Sequence, residues 1–170
     1  DAVNNTGSGH STTTTTWKDL SGNNRDATVT GGTWGDNYLR FTTSNTSNGV
    51  KTKSNFPINY SNMTFSIVFN LTQVSSVEAL LGSRTTSSDG MMLFNFDENN
   101  ALTLDTVGGS TRVDIGSRLK VDNNYEITVA LSNGTMRLYV NGVLTNTTKC
   151  TIGNTNFPLT VFTAGQRSNS

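Results

Sequence analysis

The string Trp34-Gly35-Asp36-Asn37-Tyr38 places two aromatic rings on either side of a carboxylate and an amide. A ring face packs on the apolar face of a sugar, and small polar groups beside it match the sugar hydroxyls. The polar loop containing Arg84 and Asp89 supplies further groups of this kind. Together, Trp34, Asp36, Asn37, Tyr38, Arg84 and Asp89 form a candidate carbohydrate-binding set. The same two rings also suit packing in a core or at its rim, where large aromatics commonly sit.

Other chemistry has less to stand on, and no catalytic residue is assigned. His10 is the one histidine, and it lies in a Gly/Ser/Thr segment where a solvated loop residue is expected rather than a base. Cys150 is the one cysteine, so neither an internal disulfide nor a thiolate metal cluster can form. A Ser-His or Cys-His site has no support, and a transition metal would find at most one nitrogen ligand. The glutamates are Glu78, Glu98 and Glu126. Glu126 has no acidic neighbour two residues away, and adjacent residues such as Asp97 and Glu98 face opposite ways on a strand.

Composition narrows the class further. The 170 residues suit one domain with a real core. Formal net charge is zero and only 14% of residues are charged, which leaves neither a nucleic-acid footprint nor a polybasic membrane patch. No apolar run approaches the roughly 20 residues that span a bilayer, so membrane insertion is not expected. The polar residues are mostly Thr, Asn, Ser and Gly, which favour strands and turns. Low charge with many neutral hydrogen-bonding groups suits an extracellular, cell-surface or virion setting. The lack of paired cysteines favours a bacterial or phage surface over an animal one. The residues from Asp1 do not read as a signal peptide, and the polar ends at Asp1 and Ser170 suggest an excised piece of something longer.

The elements that must position these residues are strands. Residues 125–144 read YEITVALSNGTMRLYVNGVL, with Asn-Gly pairs at 133–134 and 141–142. Such pairs tolerate positive φ at both positions and join antiparallel strands. The alternation puts Ile127, Val129, Leu131, Met136, Leu138 and Val140 on one face of a three-stranded meander. MTFSIVFNLTQ alternates as well, with Phe65, Ile67, Phe69 and Leu71 on one face, and is expected to be the most buried strand. Shorter strands are expected at 27–29, 38–41, 77–82, 91–96, 101–104, 112–115 and 159–163. Residues 49–52 read as an edge strand and 56–60 as an irregular connection. No window shows helical periodicity with caps. Many short strands at this spacing argue for a sandwich or jelly roll.

Three strings carry a family resemblance: WKDLSGNNRDATV at 17–29, MTFSIVFN at 63–70 and MRLYVNGVL at 136–144. In this order they resemble the laminin-G-like, concanavalin A-like lectin jelly-roll domains of bacterial and phage surface proteins. The resemblance implies an all-β, two-sheet antiparallel jelly-roll sandwich. It would comprise a polar arm or loop at 1–16 and a single jelly-roll domain at 17–170. It implies that Trp17 packs on the core, and that strands are missing upstream of Asp1 and after Gln166-Arg167. An open sheet edge would then meet neighbouring chains or be completed by another segment. It also raises calcium as a cofactor, with Asp36, Asp89 and Asp97 as oxygen donors; Asx turns are the competing reading of these residues. Glycosidases on this fold hold two carboxylates about 5–5.5 Å apart in retaining enzymes, and their Glu-x-Asp-x-x-Glu pattern is absent here. The expected function is a non-catalytic glycan-recognition module, as an adhesin, a carbohydrate-binding module or a phage receptor-binding domain, whose partner is a cell-surface or host glycan. The alternative is a structural spacer or assembly domain of a surface fibre or phage tail.

Overall fold

The structure is a computed structural model that describes residues 1–42, 48–58, 62–70, 72, 78–83, 91–96, 101–105, 112–149 and 155–164. These residues contain fourteen β-strands and no helix. In chain order they are β1 (Thr16–Trp17), β2 (Ala27–Thr30), β3 (Thr33–Trp34), β4 (Leu39–Arg40), β5 (Gly49–Ile58), β6 (Asn62–Asn70) and β7 (Glu78–Ser83). There follow β8 (Met91–Phe96), β9 (Ala101–Asp105), β10 (Arg112–Arg118), β11 (Asn124–Ser132), β12 (Thr135–Val140), β13 (Val143–Lys149) and β14 (Thr155–Ala164).

All pairings are antiparallel. One sheet has eight strands in the order β1-β2-β5-β14-β7-β8-β9-β10, a second has four in the order β13-β12-β11-β6, and β3 and β4 form a small hairpin. The expected all-β sandwich is therefore the architecture observed.

The meander follows directly from its turns. Ser132 pairs with Thr135 and Val140 with Val143, so each Asn-Gly pair is a two-residue connection. Asn133 and Gly134 have φ of 47° and 71°, and Asn141 and Gly142 have 50° and 76°. Positive φ at both central positions is what the primed hairpin turn demands. Asn141 also ties the second turn to β11, since its Oδ1 accepts from the Glu126 N–H at 2.8 Å.

The inner face of the meander is the centre of the larger core. Ile127, Val129, Leu131, Met136 and Leu138 are buried there, and Val140 and Tyr125 pack at its margin. Leu80 and Leu81 of β7 and Leu119, just after β10, meet them from the opposite side. This face-to-face packing of apolar sides is what holds two sheets together. A second, smaller cluster lies under the N-terminal strands: Ala27, Val29, Trp34 and Val50, with Ala2, Trp17, Leu39 and Phe41 against it.

Two sequence expectations are corrected here. β6 is not the most buried strand: it pairs with β11 alone among the described residues, and only Phe69 of its residues is buried. Its alternation is real, but a strand at the margin of a sheet buries its inward residues only in part. Residues 49–52 are no edge strand, and 56–58 no irregular connection. Both belong to β5, which runs ten residues between β2 and β14. Pro57 suggested a break, yet it lies beyond the Gly49–Thr52 stretch that β2 pairs, where a missing N–H disrupts less. Pro158, on the facing strand, sits beside the register shift between Pro158 and Thr160. Both prolines are thus absorbed into one long pairing.

Candidate functional site

The string at 34–38 forms the hairpin of β3 and β4. Thr33 pairs with Arg40 and Trp34 with Leu39, and the Gly35 N–H donates to the Tyr38 carbonyl at 2.9 Å. Asp36 and Asn37 are exposed at the tip. Tyr38 is 53% exposed, and its ring lies against Gly35 so closely that a Cβ there would fall 2.2 Å from the ring. Glycine at 35 is therefore what lets the ring settle on the loop. The result is an aromatic side chain fixed by its own hairpin, with half its surface open, beside a carboxylate and an amide.

Trp34 differs from the expectation of an exposed platform. It is 6% exposed and belongs to the smaller core cluster. Its Nε1 donates to the Thr14 carbonyl at 2.7 Å, across twenty residues of chain. The indole thus anchors the hairpin from beneath and offers no ring face to a ligand. Trp17 is half-buried and stacks edge-on against it, consistent with core packing in that position. Arg84 and Asp89 lie outside the described residues, as does Asp97, so the structure brings together only Asp36, Asn37 and Tyr38 of the candidate set as accessible groups.

The segment before Trp17 shapes the ground on which this hairpin rests. Asn5 is fully buried; its amide donates to the Ser11 carbonyl at 2.8 Å and its Oδ1 accepts from the Ser11 N–H at 2.9 Å. The Lys18 N–H reaches the Asn5 carbonyl at 2.9 Å. His10 is exposed and bonds through Nδ1 to the Ala2 carbonyl at 2.9 Å, with its ring edge toward Trp34. It has no acidic partner among the described residues and serves the loop.

The WKDLSGNNRDATV string proves to be a carboxylate-organised turn. Asp19 accepts from the N–H groups of Ser21 at 2.8 Å and Arg25 at 2.9 Å. Asp26 accepts from the Asp19 N–H at 3.1 Å and from Lys18 Nζ at 2.7 Å. Hydrogen bonding from the Ser21 hydroxyl, and then from the Arg25 and Ser21 backbone, lowers the Asp19 pKa to about 2. The Lys18 hydrogen bond, followed by that of the Asp19 N–H, lowers that of Asp26. Donation to the ionised form is the cause in both cases. These aspartates are consumed by structure and are not free for a ligand.

Neither a catalytic pair nor a metal set emerges among the described residues. Glu126 is exposed on the outer face of the four-stranded sheet, and no group of three His, Cys, Asp or Glu comes together. Asp36, the described member of the calcium candidates, stands alone at the hairpin tip. Among the described residues no helix is long and apolar enough to cross a membrane.

The outer face of the four-stranded sheet was passed over in the sequence because its residues simply alternate with core positions. It carries Thr64 and Ser66 of β6, Thr128 and Ala130 of β11, Arg137 and Tyr139 of β12, and Thr147 and Lys149 of β13. The pairings Thr64–Ala130–Arg137–Thr147 and Ser66–Thr128–Tyr139–Leu144 run as neighbouring rows across it. The Ser66 and Thr128 hydroxyls bond to one another across the second row.

With this geometry in view, the fold can be set beside known ones. A Trypanosoma rangeli sialidase in complex with sialic acid superposes with a TM-score of 0.69 at 14% identity, over 95% of this chain and 27% of that one. The chain thus spans about a quarter of the length of the sialidases it matches. A heptameric SAP-like pentraxin from Limulus polyphemus gives a TM-score of 0.52 at 15% identity, over 71% of this chain and 58% of its own. Carbohydrate-binding module CBM66 from Bacillus subtilis gives 0.48 at 11% identity, over 82% and 80%. At such identities the sialidase and pentraxin likenesses show the fold alone. No curated protein sequence matches the chain. Residues 43–170, which hold β5 to β14 and both faces of the larger core, match the sequence model of one family, and on that match the chain belongs to the concanavalin A-like lectin/glucanase superfamily.

Proposed function

We propose that this chain is a non-catalytic glycan-recognition domain of an extracellular protein, working as an adhesin, a carbohydrate-binding module or a phage receptor-binding domain. Membership of a lectin/glucanase superfamily supports the ligand class. The observation that carries the reading is the Tyr38 ring, held against Gly35 and half exposed beside Asp36 and Asn37. Such a site binds one sugar weakly, because association must offset lost rotational freedom and ordered side chains. The expected affinity is millimolar to micromolar, about −4 to −8 kcal/mol. A glycan array followed by calorimetric titration tests it, each run with and without calcium to judge whether Asp36 and its neighbours recruit the ion. Tyr38→Ala is expected to weaken binding by on the order of 1–3 kcal/mol with the fold intact. Absence of binding to every glycan in both conditions overturns the reading.

A second reading, a spacer or assembly domain of a surface fibre or phage tail, draws on β6. This strand is nine residues long, has no charge, no proline and no register shift, and has β11 as its one paired neighbour among the described residues. Uncharged, regular margins of this kind invite strand addition by another chain. A concentration-dependent rise in mass by light scattering, lost on Ser66→Lys, would favour it.

A further inference from the structure

We infer that the outer face of the four-stranded sheet is a binding site for an acidic saccharide, with Arg137 receiving its carboxylate and Tyr139 supporting its ring. The inference rests on the glycan-recognition reading and adds to it a second surface, apart from the Tyr38 hairpin.

Arg137 is exposed on β12, which lies between β11 and β13, and has no hydrogen-bond or ion-pair partner among the described residues. Charged side chains commonly guard sheet margins against unwanted pairing, but an interior strand needs no such guard. Its pairing partners are Ala130 on one side and Thr147 on the other. Ala130 is the smallest side chain on this part of the face, so the surface drops beside the guanidinium. Tyr139 stands two residues along the same strand and on the same face, about 7 Å away at strand spacing. It is half-buried, and neither its ring nor its hydroxyl has a partner among the described residues. Opposite it, Thr128 presents a hydroxyl already oriented by Ser66.

Among the described residues, the charge nearest Arg137 has one sign. Lys149 of β13 pairs with Thr135, in the row next to Arg137, and is exposed. β6 contributes no charge. Among the described residues the one acid on this face is Glu126, opposite Val68 and four residues along β11 from Ala130, about 13 Å away. That distance exceeds a Debye length at 0.15 M salt, so Glu126 leaves Arg137 largely uncompensated. A guanidinium binds a carboxylate through two parallel N–H···O bonds, and a neutral sugar would leave that fork unused. Ring platform, fork and hydroxyl within one pair of rows fit a pyranose that carries a carboxylate.

The test is a titration of the whole chain with a panel of hexuronate oligosaccharides and their carboxyl-reduced counterparts, at low salt and at 0.5 M salt. At least one hexuronate is expected to bind, and its reduced form at least tenfold more weakly. Arg137→Gln and Tyr139→Ala should each lose at least tenfold, and Arg137→Lys should retain part of the affinity. High salt should weaken binding. Circular dichroism confirms that the variants are folded, as expected for surface positions. Equal binding of reduced and acidic forms, binding lost in Tyr38→Ala but kept in Arg137→Gln, or polyglutamate binding as tightly as the saccharides each overturns the sheet-face site. If no hexuronate binds but neutral glycans do, this inference falls while the glycan-recognition reading stands. If no glycan of either kind binds, both fall.

Discussion

The indole of Trp17 meets that of Trp34 edge to face, with ring centroids 5.0 Å apart and planes at 75°. This pair couples the carboxylate-organised turn to the β3–β4 hairpin. Edge-on aromatic pairs contribute about 0.5–1.5 kcal/mol beyond the area they bury. Trp34 also caps the smaller core and bonds to Thr14. Trp34→Ala is therefore expected to destabilise the fold by about 3–5 kcal/mol, the range for large buried rings. Tyr38→Ala should leave the melting temperature nearly unchanged. Equal melting of the two variants would show that Trp34 is not the anchor.

Leu138 is 1% exposed in the larger core, and Arg137 beside it points to the other face. Leu138→Ala should cost about 2–5 kcal/mol and lower the denaturation midpoint without changing the slope. Arg137→Ala should fall within about 0.5 kcal/mol of the parent. Similar midpoints for both would contradict the register of β11 and β12.

Gly142 has φ of 76°, and nothing lies within 4 Å of where its Cβ would be. The obstacle to a side chain is thus backbone conformation alone. Gly142→Val should destabilise strongly because a β-branched residue fits poorly there, whereas Gly142→Asn should cost much less. Chemical denaturation of the two variants separates conformational strain from crowding, since crowding would penalise both.

Folding lowers the Asp19 pKa from 3.8 to about 2. A depressed carboxylate stabilises the folded chain above its unfolded pKa, and that contribution disappears as pH falls through the folded one. The melting temperature should therefore fall between about pH 4 and pH 2, with Asp26 adding to the effect in the same direction. Asp19→Asn should melt lower than the parent near neutrality, with the gap closing in acid. A gap that stays constant down to pH 2 would exclude ionic capping of this turn.

The meander was legible because each of its determinants is local: two-residue turns and period-two alternation between Tyr125 and Leu144. β5 and β14 were legible only in part, at 49–52 and 159–163, since their full length comes from pairing with each other far along the chain, and Pro57 and Pro158 masked the rest. Trp34 misled for a related reason. Its loop is rich in Gly, Asp and Asn, which signals exposure, and only the fold of residues 1–15 over it makes it core. Asp36, Asn37 and Tyr38 are exposed, and for Tyr38 this decides against the core packing that its ring also suited. Arg137 and Tyr139 gave no signal, because a functional sheet face and an ordinary solvated one have the same alternation. Their meaning appears only when strand order places Ala130, Thr147 and Lys149 beside them.

β14 lies between β5 and β7 in the eight-stranded sheet. Thr52 and Leu159, joined by a hydrogen bond across that seam, are 107 residues apart. Until β14 is in place, the sheet exists as two unconnected halves, β1-β2-β5 and β7-β8-β9-β10. During vectorial synthesis the nascent chain therefore carries two open seams until residues 155–164 clear the ribosome. The meander can close earlier, since hairpins form in about 1–10 μs. Insertion of β14 is then the late, long-range event expected to set the folding rate, and the interval before it is when a chaperone would be needed.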